Sequence, residues 1–275
     1  MRLFVSGLRK LSRRLATYLT FGLLAGLLAL IIVAVAASGG RGQNGNGPAN
    51  PLAIVTFPGA YDLILSFILG LGGLFAVVYG AAIAGSEWTW GTLKTVVARG
   101  ESRSRYVVAT FAAIAVVAGI GLLISFGIGV VAAALGATIA KVPLDGIGNA
   151  DALGRLPEHF LRGWAAIVME GSIGFAIATL ARSQLAGIGA GIAFYFGEGF
   201  ASLFLPDVVK YLPFNLASTA VGSGGGFGGG GGGGGGPPVA STPLSADFAL
   251  LLVAAWLIGS VVVAAGFTER AEITG

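Results

Sequence analysis

Two carboxylates stand where a charge is least at home. Glu170 and Glu198 each interrupt a long apolar run of Ile, Ala, Gly and Phe. An acid at membrane depth is costly and by default marks a task, such as lining a pathway, binding a cation or bridging helices. Glu198 lies in Tyr195-Phe196-Gly197-Glu198-Gly199, near the end of its run, where a bond to a neighbour also accounts for it; Glu170 lies deeper. The other chemically dense stretch is residues 85–106, GSEWTWGTLKTVVARGESRSRY. It is the longest polar, basic island between two long apolar segments, and it gathers Lys94, Arg99, Arg103 and Arg105 with Glu87 and Glu101. Such a cluster either holds a loop on the cytoplasmic side or pairs with acids on a partner.

The sets that enzymes need are missing. There is no cysteine, which excludes disulfides and thiolate metal sites, and the single histidine, His159, excludes a multi-histidine metal site within the chain. His159 reads as a plain polar residue at an outer interface. No HExxH occurs for a zinc protease, and no base accompanies a serine within the bilayer. The glycine tract Gly222–Gly236 lacks the Lys and Ser/Thr of a P-loop. The expectation is a chain that is no enzyme, holds no cofactor or metal, and depends on a partner for any ATP hydrolysis.

The elements around these residues follow from composition. Hydrophobic residues make up 55% of the chain and charged ones only 10%, against about 25% in a soluble domain. That places the chain among all-α membrane proteins, as a single transmembrane domain over residues 1–275. Residues 1–14 are amphipathic: Leu3, Phe4, Leu8 and Leu11 share a face, and the basic residues sit mostly elsewhere. Such a segment lies in the interface, basic side toward anionic headgroups. The pattern predicts six spans, at about 15–37, 61–84, 107–137, 164–181, 185–205 and 246–267. The first ends in Ala34-Val35-Ala36-Ala37-Ser38, which resembles a signal cleavage site, but its length predicts an uncleaved helix. It also holds Gly22 and Gly26, a GxxxG pair of the kind that permits close helix approach. Outside loops are expected near 38–60 and 138–163, and residues 206–245 read as an external segment. That segment has Tyr211 and Phe214 at headgroup level, followed by a flexible glycine-rich linker.

Six spans put both termini on one side, and the charges agree. Eleven Lys and Arg fall on the proposed inside segments and five on the outside ones. The net charge of +4 therefore reflects orientation in a bilayer rather than nucleic-acid binding. Within the island, Trp90, Leu93 and Val97 fall at helical spacing. Gly100 suits a helix stop and Ser102 a cap for the third span. Glu87, at the end of the second span, suits a structural bond within its own chain, as a cap or to Arg99 or Arg103.

The run Glu87-x-x-x-Gly91-Thr92-Leu93-Lys94-x-x-x-x-Arg99-Gly100-x-Ser102-Arg103 resembles the cytoplasmic loop between the second and third spans of ABC transporter permeases of the type 2 class. Tyr211-Leu212-Pro213-Phe214-Asn215 and Phe267-Thr268-Glu269-Arg270 resemble that family's outer segment and tail, the latter weakly, because Glu269 and Glu272 dilute its basic charge. The resemblance implies a six-span permease of an exporter in the cytoplasmic membrane, with both termini cytoplasmic. It implies a dimer with an identical or homologous permease, and two copies of a separate ATPase that binds ATP and Mg. The island would be the coupling helix region, with Arg99 and Arg103 pairing with acids on that ATPase and Trp90 and Leu93 filling its groove. Cargo would be a drug, peptide, lipid or ion. The alternative is a secondary transporter driven by an ion gradient through Glu170 and Glu198.

Overall fold

The computed structural model describes residues 2–38, 51–98, 100–222 and 244–271. Arg99, most of the first outside loop, the glycine tract beyond Gly222 and Glu272 lie outside the described residues, as do the side chains of Arg2, Lys94 and Val97. Ten α-helices carry the described chain. They are α1 (Arg2–Ser12), α2 (Leu15–Ser38), α3 (Gly59–Thr89), α4 (Thr92–Ala98), α5 (Arg103–Ala140), α6 (Ala150–Ala181), α7 (Gln184–Ala201), α8 (Pro206–Val209), α9 (Pro213–Val221) and α10 (Ala246–Arg270). A short 3-10 turn, Pro51–Val55, precedes α3.

Five helices are long and apolar enough to cross a bilayer: α2, α3, α5, α6 and α10. The expected fifth span does not join them. α7 has only 18 residues, and Gln184, Glu198 and five glycines dilute its apolar character. At 1.5 Å per residue it measures about 27 Å, short of a hydrocarbon core of about 30 Å. The chain then turns through α8 into α9. Leu216, Ala217, Ala220 and Val221 of α9 pack among Ala166, Met169 and Ile173 of α6 and Ala249 and Val253 of α10. Phe214 meets the rings of Phe194 and Tyr195. The segment is thus helical, and its apolar residues, which repeat every three to four positions, pack inward, while Tyr211 stays exposed.

The depth of this turn is fixed by two bonds. The Tyr211 carbonyl accepts from Nε1 of Trp256, nine residues along α10 from Asp247. At the other end of α9, the Ala220 carbonyl accepts from Arg162, which also pairs with Asp247. Nine helical residues are about 14 Å. α9 therefore starts well inside the bundle and runs back out to the level of Arg162.

The predicted outer loop at 138–163 is largely helix. Asn149 caps α6 by accepting from the Ala152 N–H, and Ala152, Leu156 and Phe160 then pack against the core at every fourth position. The charges that read as loop occupy the other faces, and Pro157 is accommodated within the helix. α3 likewise runs past Ala84 to Thr89, and α5 begins at Arg103.

The tightest contact is between α3 and α6. A Cβ on Gly80 would overlap the Gly171 carbonyl, and one on Gly174 would overlap the Val77 carbonyl. The two backbones touch, as small residues allow in membrane helices. The GxxxG pair of α2 plays no such part among the described residues, since a Cβ on Gly22 or Gly26 would meet nothing within 4 Å.

Candidate functional site

α1, the end of α10 and the described part of the polar island meet at one end of the bundle. The α1–α2 corner is pinned there by Thr17, whose hydroxyl donates to the Leu11 carbonyl and shares a hydrogen bond with Tyr79 of α3. Leu11 is fully buried among residues of α3, α5 and α6. This holds Lys10 and Arg14 over the last turns of α3.

Glu87 is the centre of the network. Its side chain is buried, and three elements reach it. Lys10 Nζ lies 2.6 Å from one carboxylate oxygen, and Arg14 lies 3.6 Å from the same one. The Tyr106 hydroxyl of α5 donates to the other at 2.7 Å. Arg14 also donates to Ser86 at 2.8 Å and stacks its guanidinium over the Trp90 ring. A buried carboxylate with two cations and a hydroxyl is a satisfied group, and removing it would strand two charges. The structural bond expected of Glu87 is present, but its partners are Lys10, Arg14 and Tyr106. Arg103 points elsewhere, as described below. Nothing in the spacing of Lys10, Arg14 and Tyr106 marked them, because the contacts span up to 77 residues.

The island breaks into two helices at Trp90–Gly91, where Gly91 takes φ 64, a backbone region that glycine enters without strain. The break falls inside the helix expected over Trp90–Val97. It separates Trp90 from Leu93: Trp90 is 67% exposed and Leu93 only 3%. Leu93 and Val96 turn α4 inward onto the bundle, so Leu93 is a core residue rather than a surface anchor. Thr92 starts α4 and is half-buried. Gly100, at φ 74, ends the turn after α4, and Ser102 caps α5 by accepting from the Arg105 N–H.

Arg103 donates to the Ala271 carbonyl at 2.7 Å, and the Ser104 N–H donates to Glu269. The end of α10 is thereby tied to the start of α5. Arg182, in the turn between α6 and α7, lies over both Trp88 and Phe267. A cation over two rings in contact adds roughly 1 kcal/mol per ring. The α1 end is thus a continuous bonded layer from which Trp90 protrudes.

Glu170 and Glu198 lie apart from this layer, and they differ. Glu198 accepts from the backbone N–H groups of Phe214 and Asn215, the latter a short contact. These are first-turn donors of α9 that have no partner in their own helix. The carboxylate caps a helix whose N-terminus lies inside the bundle, and the helix dipole favours it there. Glu170 sits on α6 against Gly73 of α3, where a Cβ would overlap its carboxyl group. The residue is 4% exposed. Tyr195 bonds instead to the Gly70 carbonyl at 2.7 Å. His159 lies 3.6 Å from Asp62 at the far end of the bundle.

No protein-family model matches this chain, and no curated protein matches it.

Proposed function

We propose that this chain is the membrane permease of an ATP-driven exporter, with its α1 end in the cytoplasm and coupled there to a separate ATPase. α7 and α9 together would make the sixth crossing, as one broken span. The observation that carries the reading is the α3–α5 connection. It leaves a bonded, aromatic-tipped knuckle at the end where α1, the end of α10 and the densest basic charge converge. A partner that grips Trp90 pushes at once on α1 through Arg14, on α3 through Glu87 and on α5 through Tyr106. Rigid coupling of this kind is what a remote ATPase needs to move a bundle. The buried Leu93 and the inward-bonded Arg103 narrow the docking anchors expected from the resemblance to Trp90 and the exposed polar residues beside it. Lys94 and Arg99 fall among residues whose side chains lie outside the description. The exporter would work in the cytoplasmic membrane with a second permease chain, and the ATPase would supply ATP and Mg.

The test is co-purification of the tagged chain from membranes together with the P-loop ATPase encoded nearest to it. Recovery of that ATPase with the native chain, and its loss with Trp90→Glu at equal membrane insertion, supports the reading. Equal recovery with both overturns it. The ion-driven alternative gains from the buried Glu170 and loses from Glu198, which is committed to α9.

A further inference from the structure

We infer that a cleft between α5 and α6 seats one acyl chain of a membrane phospholipid as a bound ligand of this protein. The inference goes beyond the permease reading and requires no ATPase. Two aromatic side chains of α6 reach across to α5. Nε1 of Trp164 donates to the Ala115 carbonyl at 2.8 Å, and the ring of Phe160 meets that of Phe126 edge-on, with centroids 4.8 Å apart. From Ala115 to Phe126 is eleven residues of α5, about 16 Å, whereas Phe160 to Trp164 is four residues of α6, about 6 Å. The two bridges therefore diverge toward α5, and a cleft of about 370 Å³ lies between them.

The walls decide what can occupy it. α5 supplies Gly119, Ile120 and Leu123, and α6 supplies Phe160, Leu161 and Trp164. No charged residue lines the cleft among the described residues, and its one polar side-chain atom, Nε1 of Trp164, is already spent on Ala115. Apolar space of this kind stays dry. Depth argues the same way: α5 carries no charge between Arg105 and Lys141, and the cleft lies near the middle of that stretch. Ile120, Leu123 and Leu161 are 51%, 60% and 66% exposed, so the cleft opens on its outer side. Left empty, its walls would forgo dispersion contacts along their whole length. The medium at that depth is hydrocarbon, which enters instead. One leaflet of a core about 30 Å thick is about 15 Å deep, so a cleft of about 16 Å matches one acyl chain. An acyl chain seated there touches two helices and two anchored rings at once, whereas one lying along α2 meets single exposed side chains such as Leu27.

The test is native mass spectrometry of the full protein, released in mild detergent from phosphatidylcholine–phosphatidylglycerol vesicles. The expected spectrum keeps one phospholipid per protein after the detergent has been stripped. Ile120→Trp and, separately, Leu161→Trp fill the cleft from opposite helices, and each should lose that lipid. Leu27→Trp, on the exposed face of α2, should keep it. All variants are compared as monodisperse preparations. A phosphatidylcholine with a photoreactive diazirine in its acyl chain then locates the site, with adducts expected on peptides holding residues 119–123 and 160–164. A native protein that retains no phospholipid, or only detergent or a free fatty acid, overturns the proposal. So does retention unchanged in either filled variant, adducts confined to other helices, or a second copy of the protein, in place of a lipid, lost on filling. None of these outcomes bears on ATPase docking, so failure here is distinct from failure of the permease reading.

Discussion

The two ends of the bundle handle charge in opposite ways. At the α1 end, Glu87 is buried and Lys10, Arg14 and Tyr106 close on it. At the α9 end, Arg162 bridges Glu158 and Asp247, whose side chains are 63% and 85% exposed, and His159 faces the exposed Asp62. Exposed pairs contribute at most about 1 kcal/mol, whereas stripping one partner from a buried set costs several. One end is a solvated rim. The other is a bonded block that ties α1, α3, α5 and the end of α10 together.

The largest effect expected lies between the two ends, at the crossing that joins them. Gly80→Leu drives a side chain into the Gly171 carbonyl and should cost about 3 kcal/mol or more. The readout is loss of the monodisperse peak in detergent chromatography; a normal peak would mean that the helices separate freely. Next comes the contrast itself. Glu87→Ala should lower stability by about 3 kcal/mol, since Lys10 and Arg14 lose their acid. Asp247→Ala should lie within about 1 kcal/mol of the parent. Thermal unfolding of both variants ranks the ends, and equal midpoints would erase the distinction.

Glu198→Ala is a smaller perturbation. It leaves two α9 donors unsatisfied, at about 1–2 kcal/mol, with faster amide exchange expected at Phe214 and Asn215. Unchanged exchange there would show that α9 holds without its cap. Smallest in stability is Trp90→Ala. The exposed ring gives up little beyond the Arg14 contact, under about 1 kcal/mol, while its effect on ATPase recovery should be complete.

What the sequence revealed and concealed follows from distance along the chain. Local signals held: the Ser102 cap, the Gly100 stop and the amphipathic α1 are set by neighbours within one turn. Apolar runs located the five long helices. Charge hid one helix. Residues 150–163 carry charge and still form helix, because Ala152, Leu156 and Phe160 pack while the charged faces stay wet. Residues 213–221, read as a short interfacial stretch, form a helix that packs on α6 and α10. The Glu87 network was invisible because its members are brought together only by the fold, and the roles of Glu170 and Glu198 separate only once α9 is in place.

The central claim is that a nucleotide-hydrolysing partner grips the knuckle at Trp90. It is tested most directly by placing a photo-crosslinking amino acid at position 90, and separately at position 62 on the opposite end, in living cells. Illumination should join position 90, and not position 62, to a protein carrying a P-loop, identified by mass spectrometry of the adduct. An adduct to such a protein from position 62, or none from position 90 at normal expression, would contradict the account.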